Sequence, residues 1–273
     1  MHAAFAGATT ARDSRYLPAM RWAFLHTPPL PGAANMAIDE WLLARARRNG
    51  VGTVRVYSWA GPTASFGRHQ SARRGFDPER ARAHGIGVVR RLTGGRAVLH
   101  HREITYAIAA PITPGRDLGA DYATVNTLLL SALRTIGVDA RIVPEGRRLP
   151  PPGSAPCFEL PAPGELVVDG RKLVGSAQYR EGAAWLQHGS ILVHDDQPLL
   201  RDIAIGDVPV TDAATLTAIL GREVSAAEFA AVLRRAVEAA WDAALTDLAP
   251  DVVRTEAAPL EATYDDDAWT WRR

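Results

Sequence analysis

Residues 165–178 read Glu165-Leu166-Val167-Val168-Asp169-Gly170-Arg171-Lys172-Leu173-Val174-Gly175-Ser176-Ala177-Gln178. An Asp-Gly pair between two apolar, β-branched runs is a strong local signal for a tight hairpin, because both turn positions need a backbone that Asp and Gly tolerate. A third apolar run, residues 184–193, follows a short break at Gly182. Three such strands in succession make an antiparallel meander. A doubly wound α/β fold would instead interpose a helix between neighbouring strands.

Working outward, alternation and β-branching mark further strands at residues 21–25, 53–59, 63–66, 88–91 and 140–144. Residues 97–100 and 104–109 resemble a strand pair around the polar turn His101-Arg102-Glu103. Helices are expected from an N-cap at Asn35 to about Arg48, from Asp77 to about His84, from about Tyr122 to Ile136, and from a Ser225 cap to Leu245. Strands and helices mix without a βαβ rhythm. The expected class is therefore α+β, with a mixed, mostly antiparallel sheet flanked by helices. Residues 1–20 read as a flexible extension, residues 21–250 as a single domain, and residues 251–273 as a C-terminal tail with a solvated Asp265-Asp266-Asp267 run.

The bulk properties narrow the function. Of 273 residues, 47% are hydrophobic and 22% charged, as in an ordinary globular protein. The 31 Lys+Arg against 30 Asp+Glu leave a formal charge of +1, so nucleic acid and anionic membrane are not expected as main partners. Arginines do cluster locally, and Arg68, Arg73 and Arg74 are candidates for contact with an acidic protein surface, as well as for ordinary solvated positions. One cysteine excludes an intramolecular disulfide framework and a cysteine-based zinc site. No signal peptide or membrane-length apolar stretch is read, so a cytoplasmic protein is expected.

That cysteine, Cys157, sits in Ala155-Pro156-Cys157-Phe158-Glu159-Leu160-Pro161, fifteen residues before Lys172. A thiol ionises within reach of neutral pH, and a neighbouring ammonium favours the thiolate. The same pair could equally be a small buried hydrophobe and a solvated lysine. Upstream lies Arg90-Arg91-Leu92-Thr93-Gly94-Gly95-Arg96-Ala97-Val98-Leu99-His100. Its adjacent glycines allow close backbone approach to a ligand, and they suit a plain hairpin connection too. The segment matches neither the dinucleotide fingerprint nor the P-loop, and Gly175-Ser176-Ala177-Gln178 lacks the second glycine of a serine-hydrolase elbow. His100, His101, His188 and His194 have no metal-pair spacing, so no metal site is expected.

Taken in order, Asn35-Met36-Ala37-Ile38-Asp39-Glu40, residues 90–100, Cys157-Phe158-Glu159, residues 170–178 and Gln187-His188-Gly189-Ser190-Ile191-Leu192 resemble the lipoate–protein ligase A/biotin ligase superfamily. The likeness runs from about Trp22 to Val193. Within that superfamily the chain looks most like the octanoyl-carrier-protein:protein N-octanoyltransferases (the LipM type). Arg96 stands where ATP-dependent ligases usually carry a third glycine, and Cys157-Phe158 matches the nucleophile's context in the transferases.

The resemblance implies a biotin/lipoate ligase-like catalytic domain and an acyl-enzyme on Cys157 with Lys172 beside it. It further implies that Arg90, Gly94, Gly95, Arg96 and His100 shape the acyl pocket and that Ser176, Ala177 and His188 line it. No cofactor is implied, since the octanoyl group arrives on the phosphopantetheine of acyl carrier protein. The implied acceptor is a lipoyl domain, of a glycine cleavage H protein or an E2 subunit. Three alternatives stay open: an ATP-dependent lipoate–protein ligase, an octanoyl or lipoyl amidotransferase between lipoyl domains, and a non-catalytic lipoyl- or biotin-binding module.

Overall fold

A computed structural model describes residues 20–144, 162–209 and 212–272. In chain order the elements are β1 (Arg21–His26), α1 (Gly32–Asn49), β2 (Val51–Tyr57), β3 (Thr63–Phe66), α2 (Ala72–Gly75), α3 (Pro78–Ala83) and β4 (Gly87–Arg90). There follow β5 (Val98–His100), β6 (Glu103–Pro111), α4 (Leu118–Thr135), β7 (Arg141–Ile142), β8 (Leu166–Val168), β9 (Arg171–Glu181) and β10 (Ala184–Leu192). The chain continues through α5 (Leu200–Ile203), α6 (Leu216–Leu220), α7 (Ala226–Trp241), β11 (Leu245–Asp247), α8 (Pro250–Asp265) and α9 (Asp267–Thr270).

An eight-stranded sheet has the order β11-β1-β2-β6-β10-β9-β8-β7, and a three-stranded sheet the order β4-β3-β5. The β8–β9–β10 meander is antiparallel as expected, with Asp169 (φ 51°) and Gly170 (φ 77°) making the turn. Both φ values are positive, which is why this dipeptide suits the hairpin. Pairing is mixed. The contacts β1–β2, β1–β11 and β3–β4 are parallel, and the others are antiparallel.

Period-2 alternation sorts the large sheet into two faces. On β6, Ile104, Tyr106, Ile108 and Ala110 join the core under α4 and α7, while Ala107 and Ala109 join the core under α1 and α8. Trp22 and Trp241 meet at 4.1 Å between ring centroids in the first core. A small third core holds the three-stranded sheet against α2, α3 and α5 through Phe66, Phe76, Leu99 and Ile203.

Several expectations are corrected. β5 and β6 are not partners: β5 pairs with β3, whereas β6 runs between β2 and β10 in the other sheet. The turn at residues 101–102 therefore carries the chain between sheets. Helix α1 begins at Gly32, three residues before Asn35. Asn35 lies inside its first turn, where its side-chain amide donates to the Leu30 and Ser58 carbonyls and ties the entering chain to the end of β2. Helix α7 stops at Trp241, and the next residues form β11 beside β1.

Residues 251–272 are not a tail. Helices α8 and α9 bury Val253, Ala257, Tyr264, Thr270 and Trp271, and Tyr264 donates to Glu40 Oε2 at 2.7 Å. The Asp265-Asp266-Asp267 run is exposed, as read. Residues 1–19 and the proline- and arginine-rich segment 145–161, with Cys157, lie outside the described residues.

Candidate active site

The two sheets bound one cavity of about 470 Å³, its open mouth included. Met36, Tyr57, Trp59 and Val98 supply apolar walls, from α1, β2, the loop after β2, and β5. The polar contribution comes from Ser65 and His100 on the small sheet, and from Ser176, His188 and Ser190 on the large one.

Below it lies a buried charged network. Arg55, fully buried on β2, bonds Asp39 Oδ1 at 2.7 Å, Asn35 Oδ1 at 2.7 Å and Thr27 Oγ1 at 3.1 Å. A guanidinium taken fully out of water needs such partners. Asp39 Oδ2 accepts from Tyr57 at 3.0 Å and lies 2.9 Å from His188 Nδ1. Burial works against an ionised Asp39, but His188 and Arg55 outweigh it and hold the carboxyl below its usual range. Burial pushes the His188 imidazole below its ordinary value, with Asp39 opposing. The consistent state at neutral pH is Asp39 charged and paired with Arg55, and His188 neutral with Nδ1–H donating to Asp39. His188 Nε2, 2.7 Å from Thr93 Oγ1, then accepts the threonine's proton. In this way α1, β2 and β10 are bonded to the glycine-rich segment.

Thr93-Gly94-Gly95-Arg96 is held by its own strand's next residue. Arg91 donates to the carbonyls of Ser65, Gly94 and Arg96 at 2.7–2.9 Å. Gly95 takes φ 96°, and a Cβ placed on Gly67 would sit 2.0 Å from the Gly95 carbonyl oxygen. The loop therefore closes on Gly67 with no room for a side chain.

Of the residues expected at a site, Gly95, His100, Ser176, Ala177 and His188 line the cavity. Ser176 Oγ lies 2.6 Å from the Tyr106 hydroxyl. Gly94 and Arg96 lie in the loop, their carbonyls turned to Arg91. Arg90 is a correction. It is fully buried and donates to the carbonyls of Gly67, Arg68, Gln70, Trp269, Thr270 and Arg272, away from the cavity. Its neighbour Arg91 faces the cavity instead.

Lys172, on β9, is buried with Nζ 2.7 Å from Glu165 Oε1. Burial raises the Glu165 carboxyl, and Lys172 partly offsets this. Residues the sequence reading left aside include Arg55, Ser65, Arg91, Glu103 and Glu165. Arg55 had a usable signal: a charge at the centre of an apolar strand must find a counterion. Among the described residues no group of three His, Cys, Asp or Glu could hold a metal ion, and no helix is long and apolar enough to cross a membrane.

The architecture is that of lipoate ligases. A bipartite lipoate protein ligase from Thermoplasma acidophilum, described together with its E2 lipoyl domain as an archaeal lipoylation system, superposes with TM-score 0.71 at 21% identity, covering 92% of this chain and 96% of that one. Residues 31–238 match the lipoyl protein ligase A/B catalytic domain, and the chain belongs to that family. Among its relatives, octanoyltransferase LipM of Kyrpidia tusciae is 38% identical over 273 residues, covering 92% of this chain and 99% of the relative. Octanoyltransferase LipM of Geobacillus kaustophilus is 42% identical over 189 residues, covering 66% and 68%.

Proposed function

We propose that the chain is an octanoyltransferase of lipoate biosynthesis, moving an octanoyl group from acyl carrier protein through a Cys157 thioester to a lipoyl-domain lysine. The near full-length likeness to octanoyltransferase LipM carries this reading. The cavity supports it: each methylene buried against Met36, Tyr57, Trp59 and Val98 is worth about 0.8 kcal/mol, so a medium-length chain anchors without a charged contact.

In the proposed sequence the Cys157 thiolate attacks the thioester carbonyl and the phosphopantetheine thiolate leaves, taking a proton from the Lys172 ammonium. The acceptor lysine, as free amine, attacks the acyl-enzyme. It returns a proton to Lys172, and Cys157 leaves as thiolate. Glu165 pairs with the buried Lys172 ammonium before the first step and again after the second, when the proton has been returned. No cofactor is required, because the thioester is already activated. Exposed Arg73 and Arg74 suit an acidic carrier protein, and a cytoplasmic location follows from such partners.

The test is an intact mass after incubation with octanoyl-acyl carrier protein, without ATP or acceptor. One octanoyl group on the wild type, removable by neutral hydroxylamine and absent from Cys157→Ala, is expected. No adduct, with lipoyl-domain acylation only when ATP and free acid are supplied, would move the chain to the ligases.

A further inference from the structure

His100 sits in the middle of a hydrogen-bonded line. Its Nε2 is 2.7 Å from Ser65 Oγ and its Nδ1 is 2.7 Å from Glu103 Oε1. Its ring stacks on Trp59 at 4.0 Å and 10°, which fixes the imidazole plane. Arg91 Nη1 donates to Ser65 Oγ at 2.9 Å; because the Glu103 carboxylate only accepts, a neutral His100 carries its proton on Nδ1 and accepts the Ser65 hydroxyl proton at Nε2. With that polarity Nδ1–H donates to Glu103. Glu103 Oε1 also accepts from Thr105 and Ser190, at 2.7 and 2.9 Å. Glu103 Oε2 is buried with no hydrogen-bond partner among the described residues.

Serine, histidine and carboxylate in this order and at these distances are the constellation that activates a serine hydroxyl, and it is recognised by geometry rather than by sequence position. Ser65 and His100 both line the cavity. They come from β3 and β5, which explains why no nucleophile-elbow motif announces them.

We propose that Ser65, His100 and Glu103 form a second acyl-transfer centre in the cavity, hydrolysing esters or thioesters of medium-chain acyl groups. Ser65 Oγ attacks the acyl carbonyl carbon as His100 Nε2 takes its proton. That proton passes to the leaving thiolate or alkoxide. Water, deprotonated by His100, then attacks the Ser65 ester; the acid is released and Ser65 Oγ is reprotonated. The Arg91 guanidinium donates to Ser65 Oγ at 2.9 Å and so favours loss of the hydroxyl proton to His100. The acyl-chain substrate class rests on the reading of the cavity given above; the constellation does not.

The experiment uses Cys157→Ala, which removes thiol-dependent turnover. It is treated with an alkyl fluorophosphonate, and the labelled peptide is mapped by mass spectrometry; hydrolysis of 4-nitrophenyl octanoate is followed in parallel. Expected are a label on Ser65 and hydrolysis that falls about 100-fold or more when Ser65→Ala or Glu103→Gln is added. A label elsewhere or none, or hydrolysis unchanged by Ser65→Ala, would overturn the proposal and leave the line as a tie between the two sheets. Wild-type octanoyl transfer is scored separately. Transfer without Ser65 labelling overturns only this inference, and Ser65 labelling without transfer overturns only the octanoyltransferase reading.

Discussion

Arg90, the last residue of β4, and Arg91, the residue after it, are both buried, yet they serve opposite sides of the strand's end. Behind it, Arg90 gathers carbonyls from residues 67–70 and 269–272 and so fastens the C-terminal segment to the small sheet. Trp269 answers by donating its indole N–H to the Arg90 carbonyl at 3.0 Å. In front, Arg91 gathers the Ser65, Gly94 and Arg96 carbonyls around the cavity. The same side chain thus anchors the fold at one position and shapes the site at the next, because adjacent strand residues point to opposite faces.

The largest effect is expected at the back. Arg90→Ala removes a donor from six carbonyls, of which Gly67 and Arg68 keep another, and should cost about 3–5 kcal/mol in urea unfolding, with residues 250–272 gaining early hydrogen exchange. A loss under 1 kcal/mol would mean that the C-terminal segment is held by α8 alone. Arg91→Ala should reverse the balance: octanoyl transfer should fall about 100-fold or more in kcat/KM, a loss of about 2.7 kcal/mol, while unfolding changes less than in Arg90→Ala. Equal stability losses with transfer intact would abolish the contrast.

A smaller effect sharpens how the cavity floor is tied down. His188 titrates lower in the folded chain than in the unfolded one. The unfolded chain therefore binds the extra proton, and stability should fall as pH drops below about 6.5, by up to about 1.4 kcal/mol per pH unit. His188→Gln should flatten that slope between pH 6.5 and 5. A slope unchanged in His188→Gln would assign it to another group. Asp39 acts at lower pH, where its depressed carboxyl loses its contribution as it is protonated.

The hairpin at Asp169-Gly170 was legible because its turn chemistry is local. So were the Asp77 and Ser225 caps, whose side chains accept from Glu79 and Arg80, and from Glu228, respectively. The parallel pairings were not legible. β1 and β11 meet across some 220 residues, and three-residue β11 carries no period of its own. The phase of Arg90 and Arg91 was equally hidden: both are buried, and only the docking of residues 269–272 distinguishes them. That docking was missed because α8 has an exposed, charged outer face and an internal Pro259, which resembles a tail. Ser176, Ala177 and His188 fell in the cavity wall because strand order brings β9 and β10 beneath it. The pairing of Lys172 with Glu165, seven residues apart around the Asp169-Gly170 turn, needs the register of β8 against β9.

The central claim is acyl transfer from a carrier thioester, and the most direct measurement is the mass of an apo lipoyl domain after incubation with the enzyme. With octanoyl-acyl carrier protein and no nucleotide, the domain should gain one octanoyl group on its lysine. With free octanoate and ATP it should gain none. Modification in the second mixture alone would contradict the account.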